Sequence, residues 1–295
     1  MVRMIPMMKL AKMIAFASIT SFAITGCGGG GEGGIGSDGI TYIDFTSFDE
    51  YTRPVEVYKP PANTFSFFPL ALHFRTITKS YVGKIGTTAV REYVISGTMT
   101  TPTVNSGAYE AKLTQTLSYQ STRLFEGTSV VPINYDSRRY QIKLNSSPQA
   151  DEVTTSTGYF DSTYGLRVGS SSPTTYKVLD IQASKALPEI AFNGDKGDFL
   201  TYNVYSNSAK TSLIGKEVLS YNVVSTSLGA SGEYKATVES ITRSYTPQGQ
   251  LLGVQTITDE LVYSITSGAA AKNVSIYVDD TAGTTTSRLR FTRVK

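Results

Sequence analysis

The chain has one cysteine, one histidine and no tryptophan among its 295 residues. A lone cysteine cannot close an internal disulfide, and without a cysteine pair the common zinc signatures are missing too. With only His73 as an imidazole, nucleophilic triads lack their usual base, and neither G-x-S-x-G nor H-E-x-x-H occurs. The lack of tryptophan removes the strongest stacking side chain. Long runs of helix formers are absent as well. What is plentiful is threonine, serine and valine, with 19 tyrosines and 13 phenylalanines, a composition that suits half-buried pleated surface.

Charge is unevenly placed. Arg3, Lys9 and Lys12 open the chain without an acidic residue, followed by an apolar run from Met13 to Ile24 and then Thr25, Gly26 and Cys27. That is the charged, apolar and small-residue order of a secretory signal peptide. A bilayer-spanning helix needs ~20 apolar residues, more than this run supplies. Beyond position 26 the remaining 24 Lys and Arg balance 24 Asp and Glu, so the basic character belongs to the leader. A nucleic-acid partner loses its main support.

Ile24-Thr25-Gly26-Cys27 resembles a bacterial lipobox, with Ile24 where leucine is usual and Thr25 where serine or alanine is. The resemblance covers the first 27 residues and implies that Cys27 is lipidated and becomes the N-terminus of the mature chain. Gly28 stands where an aspartate would signal retention in the inner membrane, which implies the outer membrane. Several acyl chains on one residue make a durable anchor, since each buried methylene contributes ~0.8 kcal/mol.

Residues 28–39 are nearly all glycine and read as a flexible tether. Gly31, Gly33 and Gly36 spell G-x-G-x-x-G, but no strand precedes them and no helix follows, so a phosphate loop is not expected. Beyond the tether the period is two. Tyr109, Ala111 and Leu113 alternate with polar residues, as do Tyr140, Ile142 and Leu144, and Tyr234, Ala236 and Val238. This predicts antiparallel strands with one apolar face. Turns are expected at Asn105-Ser106-Gly107, Asn193-Gly194-Asp195, Gly229 to Gly232 and Pro247-Gln248-Gly249. The helical candidates are Ser184 to Leu187 and Gly268 to Lys272.

Landmarks recur along the chain. Arg91-Glu92-x-Val94 and Gly107-x-Tyr109-x-Ala111-x-Leu113 match Lys216-Glu217-x-Leu219 and Gly232-x-Tyr234-x-Ala236-x-Val238 at one offset, and Phe68-Pro69 and Leu187-Pro188 open the two stretches. The expected fold is therefore all-β: two tandem, internally related antiparallel units, meander-like curved sheets or sandwiches. The expected divisions are the signal peptide (1–26), lipidated cysteine and tether (27–40), and β units at 41–168 and 169–295, the last boundary lying at Gly169 to Pro173. Arg288 to Lys295 reads as a final strand whose charges discourage edge pairing.

Candidate chemistry is sparse. His73, in Ala71-Leu72-His73-Phe74, reads as a packed strand residue. Asp279-Asp280, and Asp195 with Asp198, are the carboxylate pairs that a glycan hydrolase would need, but both sit among turn residues. No catalytic residue, metal ligand or cofactor site is assigned, and Cys27 is the one site residue. The expectation is a non-enzymatic envelope lipoprotein, held to the membrane by its lipid, acting as a structural or binding module toward an envelope protein, glycan or lipid. A carrier of apolar ligands in a curved sheet and an envelope glycan hydrolase are the alternatives.

Overall fold

The structure, a computed structural model, describes residues 40–43, 67–163, 166–228, 233–264, 269–273 and 275–294. Cys27 and the tether lie outside the described residues. In chain order the elements are β1 (Ile40–Ile43), β2 (Phe67–Phe68), α1 (Leu70–Lys79), a 3-10 turn (Val82–Lys84), β3 (Thr88–Thr101) and β4 (Val104–Tyr119). Next come β5 (Arg123–Phe125), β6 (Thr128–Leu144), β7 (Ser147–Pro148), β8 (Glu152–Asp161), β9 (Arg167–Ser171), β10 (Tyr176–Leu179) and β11 (Ala191–Phe192). The last are β12 (Lys196–Tyr205), β13 (Leu213–Leu228), β14 (Glu233–Tyr245), β15 (Leu251–Ser264), β16 (Ala269–Asn273), β17 (Ser275–Ala282) and β18 (Thr285–Arg293).

The all-β expectation holds, and its organisation is a closed antiparallel barrel of twelve strands. Going round the wall, β3, β4, β6, β8, β9, β10, β12, β13, β14, β15, β17 and β18 each pair with the next, and β18 returns to β3. Closure removes the exposed strand edges that an open sheet would have to protect. Thus β18 is not an edge, as its charges had suggested. Arg288 and Arg290 point outward from the seam where the wall closes.

Period-two patterning sets which side faces in. On β4, Tyr109, Ala111, Leu113, Gln115, Leu117 and Tyr119 are buried, while Glu110 and Lys112 are exposed. Outward positions carry charge on strands around the ring, among them Glu92, Arg138, Lys143, Lys216, Glu239, Glu260 and Arg288. A membrane-spanning barrel has the reverse arrangement, an apolar outer band around a polar lumen. No helix among the described residues is long and apolar enough to cross a membrane.

Inside, Ala111 and Leu113 of β4 share one cluster with Leu200 of β12 and Leu219 of β13, strands about half-way round the ring. Opposite walls therefore meet, and the lumen at that level is a packed core. Each aliphatic or aromatic side chain taken from water there contributes roughly 1.5–3 kcal/mol before entropy is counted.

One end holds a plug. Phe68, Leu70 and Tyr81 are fully buried against Leu117, Ile133, Val223 and Leu261 of the wall. Pro69 precedes α1, and its carbonyl accepts the first helical bond from His73 N at 2.9 Å. Arg75 pairs with Glu189, and Ala71 N donates to the Pro188 carbonyl at 3.2 Å, so the loop before β11 is tied to the helix. β2 and β11 form a separate two-stranded pair. Phe68-Pro69 and Leu187-Pro188, the expected openers of two units, thus meet in one plug.

Several sequence expectations change. The two halves form one continuous sheet, and Gly169, the expected connector, lies within β9, paired on both sides. The repeat is not confirmed: Tyr109 packs in the core cluster but Tyr234 in the plug cluster, and Arg91 points in where Lys216 points out. A bulge between Val223 and Ser225 shifts the phase of β13. A second bulge, where Gln141 has φ 52°, turns Tyr140 outward beneath the Arg138 guanidinium, away from the face of Ile142. Ser184 to Leu187 is irregular and Ala269–Asn273 is strand, whereas His73, expected on a strand, lies in the helix Leu70–Lys79. The turn expected at Asn105-Ser106-Gly107 falls at Pro102-Thr103, and the Gly194 and Gly249 turns occur as expected, both with positive φ.

Candidate functional site

The residues singled out from sequence do not converge. His73 is fully buried in the plug, its ring 5.2 Å from that of Phe68 and 5.5 Å from that of Phe74. Asp195 Oδ2 accepts from Phe192 N at 2.8 Å, closing the turn between β11 and β12. Asp198 accepts from Ser220 Oγ at 2.5 Å and faces Arg243 at 3.6 Å on the outer wall. Asp279 and Asp280 lie within β17 rather than in a turn, so they point to opposite faces. Two carboxylates on opposite sides of a wall cannot flank one glycosidic bond. Among the described residues, no three His, Cys, Asp or Glu side chains are grouped to hold a metal ion.

Two polar regions remain, one on each side of the wall. The inner one is a set of buried polar and charged side chains spread along the inward face of the wall. Lys177 Nζ donates to Glu217 at 2.6 Å, both side chains being largely buried. Arg139 donates to the Tyr109 hydroxyl at 3.1 Å and lies 3.5 Å from Glu152, while Gln115 donates to Ser137 at 3.1 Å. The Tyr202 hydroxyl donates to the Arg167 carbonyl at 2.7 Å, and burial drives its pKa far above the usual value. Burial does the same to Tyr135, against the opposing pull of Arg167 and Arg91, and the buried Tyr135 hydroxyl has no hydrogen-bond partner among the described residues.

Buried ion pairs add little net stability, because desolvation consumes most of the attraction. Their effect here is on register. A one-residue slip of β10 against β12 would turn Lys177 out and leave Glu217 of β13 buried alone.

Asp280 is the inner partner of the outward Asp279. It is 7% exposed, and burial pushes its pKa up to about 6, partly offset by hydrogen bonds from Thr281 N and the Gln255 side chain. A folded-state pKa above the unfolded value means the folded chain holds the proton more tightly. The resulting stability is complete below about pH 4, declines as pH rises toward 6, and above that the buried charge costs about 3 kcal/mol. Asp280→Asn should therefore gain about 1–3 kcal/mol at pH 7 and little at pH 4. Urea denaturation at both pH values checks this, and an equal effect at both would contradict it.

The outer region is a depression of about 260 Å³ across β3, β18 and β17, whose lining includes the outward Thr98, Thr100, Asp279, Thr281, Thr286 and Arg288 together with Asp280 and Ser287 of the alternate rows. These residues are brought together by closure. Thr98 faces Arg288, which faces Asp279, and Thr100 faces Thr286, which faces Thr281. Arg288 Nε lies 3.5 Å from Asp279 Oδ1, and both side chains reach solvent. One register step away, Tyr277 is 41% exposed, with the Arg290 guanidinium 5.7 Å from its ring centre. Gly97 permits the tight seam beneath, since a Cβ there would lie 2.0 Å from the Arg288 carbonyl oxygen.

No family model matches the chain, and neither a curated protein nor a solved structure matches it. The depression joins the start of the described wall to its end, so spacing along the sequence carries no sign of it. The alternation of Asp279 and Asp280 was the one available signal, and it needed a strand where their neighbours suggested a turn.

Proposed function

We propose that this is a cell-envelope lipoprotein in which acylated Cys27 holds a non-enzymatic barrel at the outer membrane through a glycine tether. The barrel serves there as a structural or binding module. The observation that carries this reading is the orientation of the wall. A barrel with charge spread over its outer face and a packed interior lacks the outer apolar band and polar lumen of a membrane-spanning barrel, which supports attachment through another part of the chain, the lipobox-like start. The even charge beyond the leader supports partners other than nucleic acid.

The opposite facing of Asp279 and Asp280, and the burial of His73 in the plug, support the non-enzymatic reading over a hydrolase. The core that joins β4 to β12 and β13 gives an apolar-ligand carrier no support at that level. Mass spectrometry of the mature N-terminus tests the proposal. The expected first residue is a Cys27 carrying acyl groups, and an unmodified peptide running across Cys27 would overturn it.

A further inference from the structure

We infer that the depression across β3, β18 and β17 binds a single sugar ring of a glycan chain; this rests on the reading of the barrel as a binding module. Its size comes first. At about 260 Å³ it is just smaller than the ~300–1,000 Å³ typical of pockets for drug-sized ligands, and it suits one small ring whose neighbours extend into solvent.

Its chemistry comes second. A pyranose presents adjacent hydroxyls that both donate and accept. The depression offers a carboxylate acceptor in Asp279, a guanidinium donor in Arg288, and threonine hydroxyls that do either at Thr98, Thr100, Thr281 and Thr286. Asp279 and Arg288 already face one another at 3.5 Å, so they are placed to grip neighbouring hydroxyls without rearranging. An anion would meet the Asp279 carboxylate, and an apolar ligand would find no apolar side chain among the six named. A neutral polyhydroxyl ring satisfies the whole set.

The third feature is the flank. Tyr277 stands one register step along the same outer face, partly exposed, with Arg290 against its ring. An aromatic face beside a hydroxyl-binding pocket can take the C–H face of the next sugar in the chain. The same row continues to Ser96 on β3, so the polar path crosses the seam.

Saturation-transfer NMR on the mature protein with maltotriose, cellotriose and chitotriose at millimolar concentration tests this. At least one trisaccharide should receive saturation on its ring protons. Asp279→Asn and Arg288→Gln should each weaken that binding about tenfold, and Tyr277→Ala should weaken the signal of one terminal ring most. Lys112→Gln, on the outer face of β4, should leave binding unchanged. All four positions are at least partly exposed, and thermal melts matching the parent would show that each variant folds. Failure of all three sugars to bind, or binding indifferent to both Asp279→Asn and Arg288→Gln, would overturn the inference. The parent proposal is read separately in the same preparation, from the lipid on Cys27.

Discussion

Gly97→Val should destabilise the barrel by about 3 kcal/mol and loosen β3 and β18 before any other pair of strands. Gly97 faces Leu289 across the closing seam, and a Cβ there would meet the Arg288 carbonyl oxygen at 2.0 Å and the Leu289 Cα at 2.9 Å. Both are backbone atoms, so no side-chain rotation relieves the clash. Valine would push the last strand off the first, and with it the row in which Leu289 and Phe291 are buried. Urea denaturation gives the size of the loss, and hydrogen exchange gives its place. Amides of β3 and β18 should exchange faster while those between β13 and β14 keep their protection. Gly86→Ala is the control. Gly86 has φ 81° with nothing within 4 Å of a built Cβ, so it carries only the left-handed backbone penalty of about 1–2 kcal/mol.

The second large effect is at the plug. Phe68→Ala should cost about 3–5 kcal/mol, the range for emptying a buried aromatic position. Phe68 is completely buried and belongs to one cluster with Leu117 of β4, Ile133 of β6, Val223 of β13 and Leu261 of β15. Four wall strands therefore lean on a side chain from outside the wall. A loss below about 1 kcal/mol would show that β2 and α1 sit on the barrel without supporting it. The cost should fall mainly on the plug end, so exchange should quicken at the β2–β11 pair first.

Both effects involve contacts that the sequence shows only in part. Alternation at Tyr109, Ala111 and Leu113 was enough to place β4 and its inward face, because a half-buried strand leaves a period of two. The turns at Gly194 and Gly249 were legible for a similarly local reason: each needs positive φ. Closure was not legible. The outward face of a seam strand and the protected face of an edge strand both alternate charged with apolar residues, so Arg288 and Arg290 fit either. The plug helix was missed because Phe67 to Phe74 is a nearly continuous apolar run around Pro69, and in so short a run strand and helix look alike. Bulges at Val224 and Gln141 slip the phase by one residue with no compositional mark. The candidate site inherits all of this. Its residues lie at opposite ends of the described wall, and only the return of β18 to β3 makes them neighbours.

The closing seam is therefore what everything here depends on, for the inward core, the outward charge and the sugar-sized depression all presuppose it. The most direct test is backbone nuclear Overhauser contact between β18 and β3 in the mature protein. The predicted pattern is antiparallel, with Phe291 opposite Ile95, Leu289 opposite Gly97 and Ser287 opposite Met99. Absence of those contacts, with the amides of both strands exchanging as free edges do, would mean an open sheet and would contradict the account.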